Sequence, residues 1–425
     1  MIKIINGKTD PKEIFKRTEK KVDVVKIVEE IISNVRENGD KALFSYTEKF
    51  DKAKLNSLLV SGEEIDQAFN LVDEDFIKVL KKSAENIKLY HSCQKRTGFE
   101  IKNSDGAIVG QKIIPIERAG LYVPGGTAQY PSTVLMDAIP AKIAGVESVV
   151  MVTPPNADGK INPVILAAAK IAGVDKIYKV GGAQAIAALA YGTETIQKVD
   201  KIVGPGNAFV AEAKKQVFGQ VSIDMIAGPS EILIVADKNN NPKYLAADLL
   251  SQAEHDKMAS AVLVTDSIEL ANAVSEELEK QIPLLERREI ARASINDNGK
   301  IIVMENVDEV IDIANLIAPE HLELCLDEPF KYLDKIKHAG SVFLGKNCPE
   351  ALGDYIAGAN HALPTSGTAR FSSALSVDDF IKKTQYVYYS KEALIKTAYD
   401  VEYFANKEGL TAHGKSAVIR VKDYE

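Results

Sequence analysis

The sequence predicts an α/β protein of two modules, each a parallel sheet flanked by helices. Three features point there. From about Ile114, short apolar runs alternate with helical ones: SVVMVTPP, NPVILAAAKIAGV, KIYKVGG, AQAIAALAYGT, KIVGPG and NAFVAEAKKQVFG. That alternation is the pattern of βα units. A second series runs from EILIVAD through PKYLAADLLSQAEH, ASAVLVTDS, KIIVMEN and VDEVIDIANLI to SVFLG. Finally, 425 residues at 46% hydrophobic content suffice for two or three domains with their own cores.

Taken in order, the first hundred residues read as helical scaffold. VDVVKIVEEIISNVRENGDKALFSYTEKFD carries apolar residues at helical spacing, stops at Gly39 and restarts. The two βα series follow, and Pro242 opens the helix after EILIVAD. The last fifty residues are polar and tyrosine-rich, with one helix expected to end near Gly409, and read as an arm that packs on another domain or subunit.

Composition excludes several classes. Acidic residues number 60 against 52 basic, a formal charge of -8, and no basic stripe is present, so nucleic acid is not an expected partner. MIKIINGKTDPKE has no apolar signal core and AIAALAYG is too short to cross a bilayer, which predicts a cytoplasmic protein without membrane contact. Cys93, Cys325 and Cys348 show no CxxC spacing, so any metal would need His, carboxylate or amide ligands.

In α/β sheets, ligands collect where strands end and glycine lets the backbone approach. YVPGGTA, VGGAQA, VGPGNAF and IAGPSE are such turns, though none is a GxGxxG. Tyr122, Gln184, Asn207 and Ser230 stand beside them, where capping and turn formation are the ordinary roles of Asn and Ser.

The chain has six histidines. His91, on an expected surface helix, and His338, before Gly340, read as structural. His255 ends a helix with Gln252 three residues earlier, about 5–6 Å apart between Cβ atoms, close enough to share one ion. Glu254 and Asp256 point away from that shared face. Asp354 and His361 in GDYIAGANHALP, and Glu408 and His413 in EGLTAHG, are loop-like candidates to complete it. Gln, His, Asp and a second His would form a mixed N/O set suited to Zn²⁺ with room for substrate, and spacing does not choose between His361 and His413.

In IAPEHLELCLD, Pro319 should stop the preceding helix and HLELCL alternates like a strand. Glu320 and His321 then fall at an exposed junction, where a neighbouring acid and base could divide two proton transfers.

Ten blocks, RAGLYVPGG, PSTVLMDAIPAKIAG, VGGAQAIAALAYGTE, KIVGPGNAFVAEAK, AGPSEILIVAD, LLSQAEHD, IAPEHLEL, GDYIAGANHALPT, GTARFSSALSV and EGLTAHG, stand in one order between about residues 115 and 415. Together they resemble histidinol dehydrogenase. The resemblance implies oxidation of L-histidinol to L-histidine in two NAD-dependent steps through histidinaldehyde, the last steps of histidine biosynthesis, with one Zn²⁺ per site. It also implies two incomplete Rossmann-like domains resembling aldehyde dehydrogenases, with small terminal extensions. Their boundaries fall at 1–20 for an N-terminal arm, 21–114 with 231–376 for the zinc and catalytic domain, 115–230 for the NAD domain, and 377–425 for a C-terminal arm.

Matched motif to motif, the family's zinc ligands fall on Gln252, His255, Asp354 and His413, leaving His361 structural. The substrate's own nitrogens are expected to complete the coordination. Ser230 and Glu408 match further substrate contacts, His321 matches the base for the alcohol proton, and Glu320 the residue that activates water at the aldehyde stage. NAD contacts carry over to Tyr122, Gln184 and Asn207. The family forms homodimers whose C-terminal segment completes the neighbouring site, so Glu408 and His413 are expected to act in trans.

Three rivals make different demands. An aldehyde dehydrogenase needs an activated cysteine, and the three cysteines lie outside the glycine turns and matched metal blocks. A zinc amide hydrolase would bind no dinucleotide. A silent paralogue would keep the fold and serve only assembly.

Overall fold

A computed structural model describes residues 1–7, 10, 24–125 and 129–422. Residues 1–94 and 116–380 form one compact unit, and 95–115 with 381–425 a second.

In the first unit, β1 (Lys3–Asn6) is followed by α1 (Val24–Asp51), α2 (Gly62–Leu71) and α3 (Glu74–Ser92). α1 buries Val28, Ile31, Ile32, Val35 and Leu43 on one stripe. It breaks at Gly39, whose φ of 49° and ψ of -132° admit glycine best, where the sequence predicts a stop and restart. Ser61 and Glu64 form a reciprocal capping box that starts α2. The next strands, β2 (Phe99–Lys102) and β3 (Ile108–Pro115), belong to the second unit.

The first βα series folds as expected. β4 (Arg118–Tyr122), β5 (Ser148–Thr153), β6 (Lys176–Lys179), β7 (Lys201–Val203) and β8 (Ser222–Ile223) form a parallel sheet in the order β6-β5-β4-β7-β8. The helices between them are α4 (Pro131–Ala144), α5 (Pro163–Ala172), α6 (Gly182–Tyr191) and α7 (Ala208–Val217). α1 packs on α6 and α7, α2 on α5, and α3 on α4. The sequence reading grouped 21–114 with 231–376; the described helices of that segment instead cover the five-stranded sheet. Burial is the reason, since Ile77, Leu80 and Ile87 share one core with Leu121 and Ile139, and Val28 and Leu43 another with Tyr178 and Ile186.

The second series gives β9 (Glu231–Ala236), α8 (Pro242–Ala253), β10 (Ser260–Thr265), α9 (Ile268–Gln281), α10 (Arg288–Asp297), β11 (Lys300–Val303), α11 (Val307–Ile317), β12 (His321–Cys325) and β13 (Ser341–Leu344). The sheet is parallel, in the order β1-β11-β10-β9-β12-β13. Its central strands β9, β10 and β12 are buried along their whole length, as continuous apolar runs in a doubly covered sheet should be. β1, expected within an N-terminal arm, pairs with β11 as an edge strand; residues 8–9 and 11–20 of that arm lie outside the described residues. In each sheet the chain reverses direction of travel beside the first strand of its series, β4 or β9. Open α/β sheets form their crevices at such points.

In the second unit, β14 (Ile381–Tyr388) pairs antiparallel with β3, and β3 with β2. α12 (Lys391–Lys407) and α13 (Thr411–Lys422) then pack together. Their approach is close enough that a Cβ on Gly414 would lie 2.9 Å from the Glu402 Cα. Gly409, at φ 76°, ends the first helix as expected, but a second follows where the sequence predicts loop. Among the described residues no helix is long and apolar enough to cross a membrane.

Candidate active site

The expected acid–base pair, Glu320 and His321, lies at a helix-to-strand junction. Pro319 cannot continue α11, Ala318 turns left-handed at φ 53°, and the chain enters β12 between β9 and β13. This position buries Glu320 and His321, at 7% and 4% exposure, which corrects the exposed junction expected from sequence. The Glu231 amide donates to Glu320 Oε2 at 2.7 Å, and the Glu320 amide donates back to Glu231 Oε2 at 3.3 Å. His321 Nδ1 lies 2.9 Å from the Glu231 carbonyl oxygen, an acceptor, and 3.3 Å from the Gln252 amide nitrogen, a donor; the shorter contact favours a proton on Nδ1. In the neutral ring with that tautomer, Nε2 is the bare nitrogen. It is buried without a hydrogen-bond partner, 3.7 Å from Glu350 Oε1. Both first residues, Glu231 of β9 and His321 of β12, sit at the amino edge of the sheet.

Around this imidazole the predicted metal ligands of the first unit gather. Gln252 occupies the last turn of α8 and His255 follows its end. The Gln252 amide nitrogen is 3.3 Å from His321 Nδ1, and its buried Oε1 has no partner. Glu254, half-buried, caps α8 through its amide, while Asp256 is exposed and caps the Met258 amide at 2.8 Å. Asp354 stands on a π-turn, Gly353–Ala357, a distortion common at functional sites. Ligand-type atoms of His321, Glu350 and Asp354 lie within 4.8 Å of one another. Only Asp354 is shared between that group and the predicted ligand set. Glu350, 2% exposed, accepts from Ser251 Oγ at 3.0 Å. Sequence reading missed it, although Glu350 and Asp354 in PEALGD stand four apart, on one helical face.

Electrostatics describe a site short of positive charge. Burial, reinforced by the Glu350 carboxylate, pushes Asp354 up to about 8. Burial lowers His255, with Glu350 opposing, and takes His361 down to about 4. His361 Nδ1 lies 3.6 Å from Asp354 Oδ1 and its Nε2 3.4 Å from Thr133 Oγ1, a bracing role for a neutral ring. Two adjacent buried carboxylates, neutral imidazoles and an orphaned amide oxygen are what a divalent cation relieves. The mixed N/O donors suit Zn²⁺, so the residues present fit that ion.

The other predicted residues fall in three places. Tyr122, Gln184 and Asn207 line one cavity of about 700 Å³ at the carboxyl ends of β4 and β7. Asn207 also caps α7, accepting from Phe209 and Val210 at 3.1 and 3.2 Å, and the Gly182 amide donates to the Tyr122 hydroxyl at 3.1 Å. A Cβ on Gly125 would meet Pro154 at 2.4 Å, so the cavity wall is closed up by glycine. Part of its YVPGGTA turn, 126–128, lies outside the described residues. Ser230 is half-buried just before β9, its carbonyl accepting from the Ser260 amide at 2.9 Å. Glu408 and His413 belong to the second unit, both exposed, at the end of α12 and in the first turn of α13.

The remaining histidines and cysteines lie outside these groups. His91 is on the surface helix expected, α3, but on its buried face, with Nδ1 2.7 Å from Gln94 Oε1. The His338 amide is held by Asn315 Oδ1 at 3.4 Å. Burial, with the Glu323 and Asp248 carboxylates, holds the Cys325 thiol far above its ordinary value, the opposite of an activated nucleophile. None of the three cysteines lines the cavity.

Comparison with known proteins points one way. The family model described as histidinol dehydrogenase matches residues 15–421. Histidinol dehydrogenase of Clostridium acetobutylicum is 55% identical over 428 residues, covering 99% of each chain. That of Bacillus thuringiensis subsp. konkukian is 57% identical over 402 residues, covering 95% of this chain and 94% of its own. The crystal structure of histidinol dehydrogenase from Elizabethkingia anophelis superposes with a TM-score of 0.95 at 40% identity, covering 100% of this chain and 98% of that one.

Proposed function

This chain belongs to the histidinol dehydrogenase family, and on that premise we propose how its residues divide the reaction. The enzyme oxidises L-histidinol to L-histidine through L-histidinaldehyde, with NAD as oxidant, in the final steps of histidine biosynthesis. One observation carries the assignment of roles: the Glu231 carbonyl favours the His321 tautomer that leaves Nε2 bare beside Glu350.

His321 Nε2 takes the alcohol proton as hydride departs from the substrate carbon. Glu320 activates the water that adds to the aldehyde stage; its Oε2 is already held by the Glu231 amide, so its orientation is set in advance. NAD, when bound, accepts one hydride in each of the two oxidations. Tyr122, Gln184 and Asn207 bind it, and the shared cavity supports that reading.

Zn²⁺, when bound, supplies a positive charge that holds the substrate's imidazole and amino nitrogens. Gln252, His255 and Asp354, with His413 of the partner subunit, are its ligands in this reading, and the orphaned Gln252 Oε1 supports it. Ser230, and Glu408 of the partner subunit, complete the substrate contacts. The protein is then a cytoplasmic homodimer whose 377–425 arm is exchanged. Residues 115–230 form the cofactor domain, 231–376 the core of the chemistry domain, and the packing of α1–α3 supports joining them to the former.

Purified protein incubated with histidinol and NAD is expected to form reduced nicotinamide, to stop after chelation and to resume with zinc. Absence of product with zinc restored would overturn the reading.

A further inference from the structure

The cavity at the carboxyl ends of β4 and β7 holds a carboxylate that the reaction as described leaves without a task. Asp51, the last residue of α1, lines it. Its Oδ2 is shielded from solvent and has no hydrogen-bond partner. A buried acceptor without a donor is costly, and no lysine or arginine is found among the described lining residues.

The surroundings say which donor fits. One wall is apolar and includes flat rings, with Ile27, Ile31, Phe50, Ile161, Ile165 and Phe209, while Tyr122, Gln184 and Asn207 supply polar groups. Neither His321, Glu320 nor Gln252 lines the space. The part of a dinucleotide held here is therefore the half remote from the transferred hydride. An adenosine matches the walls: its base is flat and apolar-faced, and its ribose carries two adjacent hydroxyl donors.

Resting on the reading that this cavity takes NAD, we propose that Asp51 accepts the adenosine ribose hydroxyls and thereby selects NAD over NADP. Dinucleotide folds commonly read this ribose with an acidic residue from the sheet itself. Here the carboxylate arrives from the end of a helix packed outside the sheet. A 2′-phosphate in the same place would bring negative charge against Asp51, with no lysine or arginine among the described lining residues to offset it. Burial lifts the Asp51 carboxyl to about 6, which leaves it ionised at mildly alkaline pH.

The test uses full-length protein at about pH 8. Calorimetric titration of wild type, Asp51→Asn and Asp51→Ala with NAD and with NADP gives the affinity ratio of the two nucleotides. Wild type should favour NAD, and both variants should lower the ratio by about tenfold, the effect of removing one unit of like-charge repulsion in a partly buried site. An unchanged ratio in both variants, with melting temperatures near wild type, overturns the role of Asp51. Location is read separately. The chain has no tryptophan, and Ile27, 43% exposed, lines the cavity, so Ile27→Trp places a single indole at its wall. A change in indole emission on adding NAD, or loss of NAD binding in this variant, puts the nucleotide in the cavity. NAD binding with silent emission overturns the cavity reading, and the Asp51 proposal with it.

Discussion

The imidazole of His321 and the main-chain carbonyl of Glu231 meet at 2.9 Å. Because a carbonyl cannot donate, this contact favours a proton on Nδ1, which in the neutral ring leaves Nε2 as the bare nitrogen. The contact joins the first residues of two neighbouring parallel strands, so it is as rigid as the sheet. The Glu231 side chain adds a second tie, accepting from the Ser366 amide at 3.1 Å.

The first prediction separates the two oxidations. His321→Asn should slow histidinol oxidation by roughly 10²–10⁴, the usual contribution of a positioned base. Glu320→Gln, which keeps an oxygen for the Glu231 amide, should chiefly impair oxidation of supplied histidinaldehyde. Rapid-mixing measurement of reduced nicotinamide from each substrate decides it, and equal loss of both half-reactions in both variants would refute the division.

The second concerns the cysteines. Cys325 is buried with its thiol proton held by burial and by nearby carboxylates, whereas Cys93 is exposed. Iodoacetamide at neutral pH should modify Cys93 and spare Cys325, as read by mass spectrometry of the folded protein. Cys325→Ala should keep both oxidations, and loss of only the aldehyde step would revive a thiohemiacetal route.

The third follows from a buried acid pair. Asp248 and Glu323 share a hydrogen bond; burial lifts Asp248 from 3.8 to about 6 and Glu323 well above its ordinary range. A carboxyl whose folded pKa exceeds its unfolded value favours the fold most when protonated. The stabilisation is therefore complete below about pH 4 and is lost as pH rises through 6 and beyond. Glu323→Gln should raise the melting temperature relative to wild type more at pH 8 than at pH 5, by about 2–4 °C per kcal/mol recovered. A difference that does not change with pH would show that the pair is not titrating.

The fourth tests exchange of the arm. His255→Ala and His413→Ala should each be inactive and bind less zinc by elemental analysis. Mixed under conditions shown to exchange subunits, they should regain activity, because one site in each mixed dimer is intact. No recovery after proven exchange would place His413 in its own subunit's site.

Much of this molecule is legible in its sequence because parallel βα units repeat a local signal. The apolar runs, the Pro242 helix start, the Gly39 interruption and the Pro319 stop each fix an element through nearby residues alone. What sequence missed depends on contacts between distant segments. The burial of Glu320 and His321 follows from strand order. Pairing of Gly110 with Tyr386 in β3 and β14 has no periodic trace that links the two. Glu350 and Asp51 matter for what faces them, and a lone acidic residue in a helical segment carries no mark of that.

His321 and Glu231 stand at the amino edge of the six-stranded sheet, so the opposite rim carries neither. Loops there, including exposed Lys238, Asn239 and Asp327, follow the carboxyl ends of β9 and β12. An affinity handle, a fluorophore or an immobilising linker attached at that rim would ride on the rigid sheet, at the end opposite His321. The fold thus comes with a ready anchorage for flow reactors and single-molecule work.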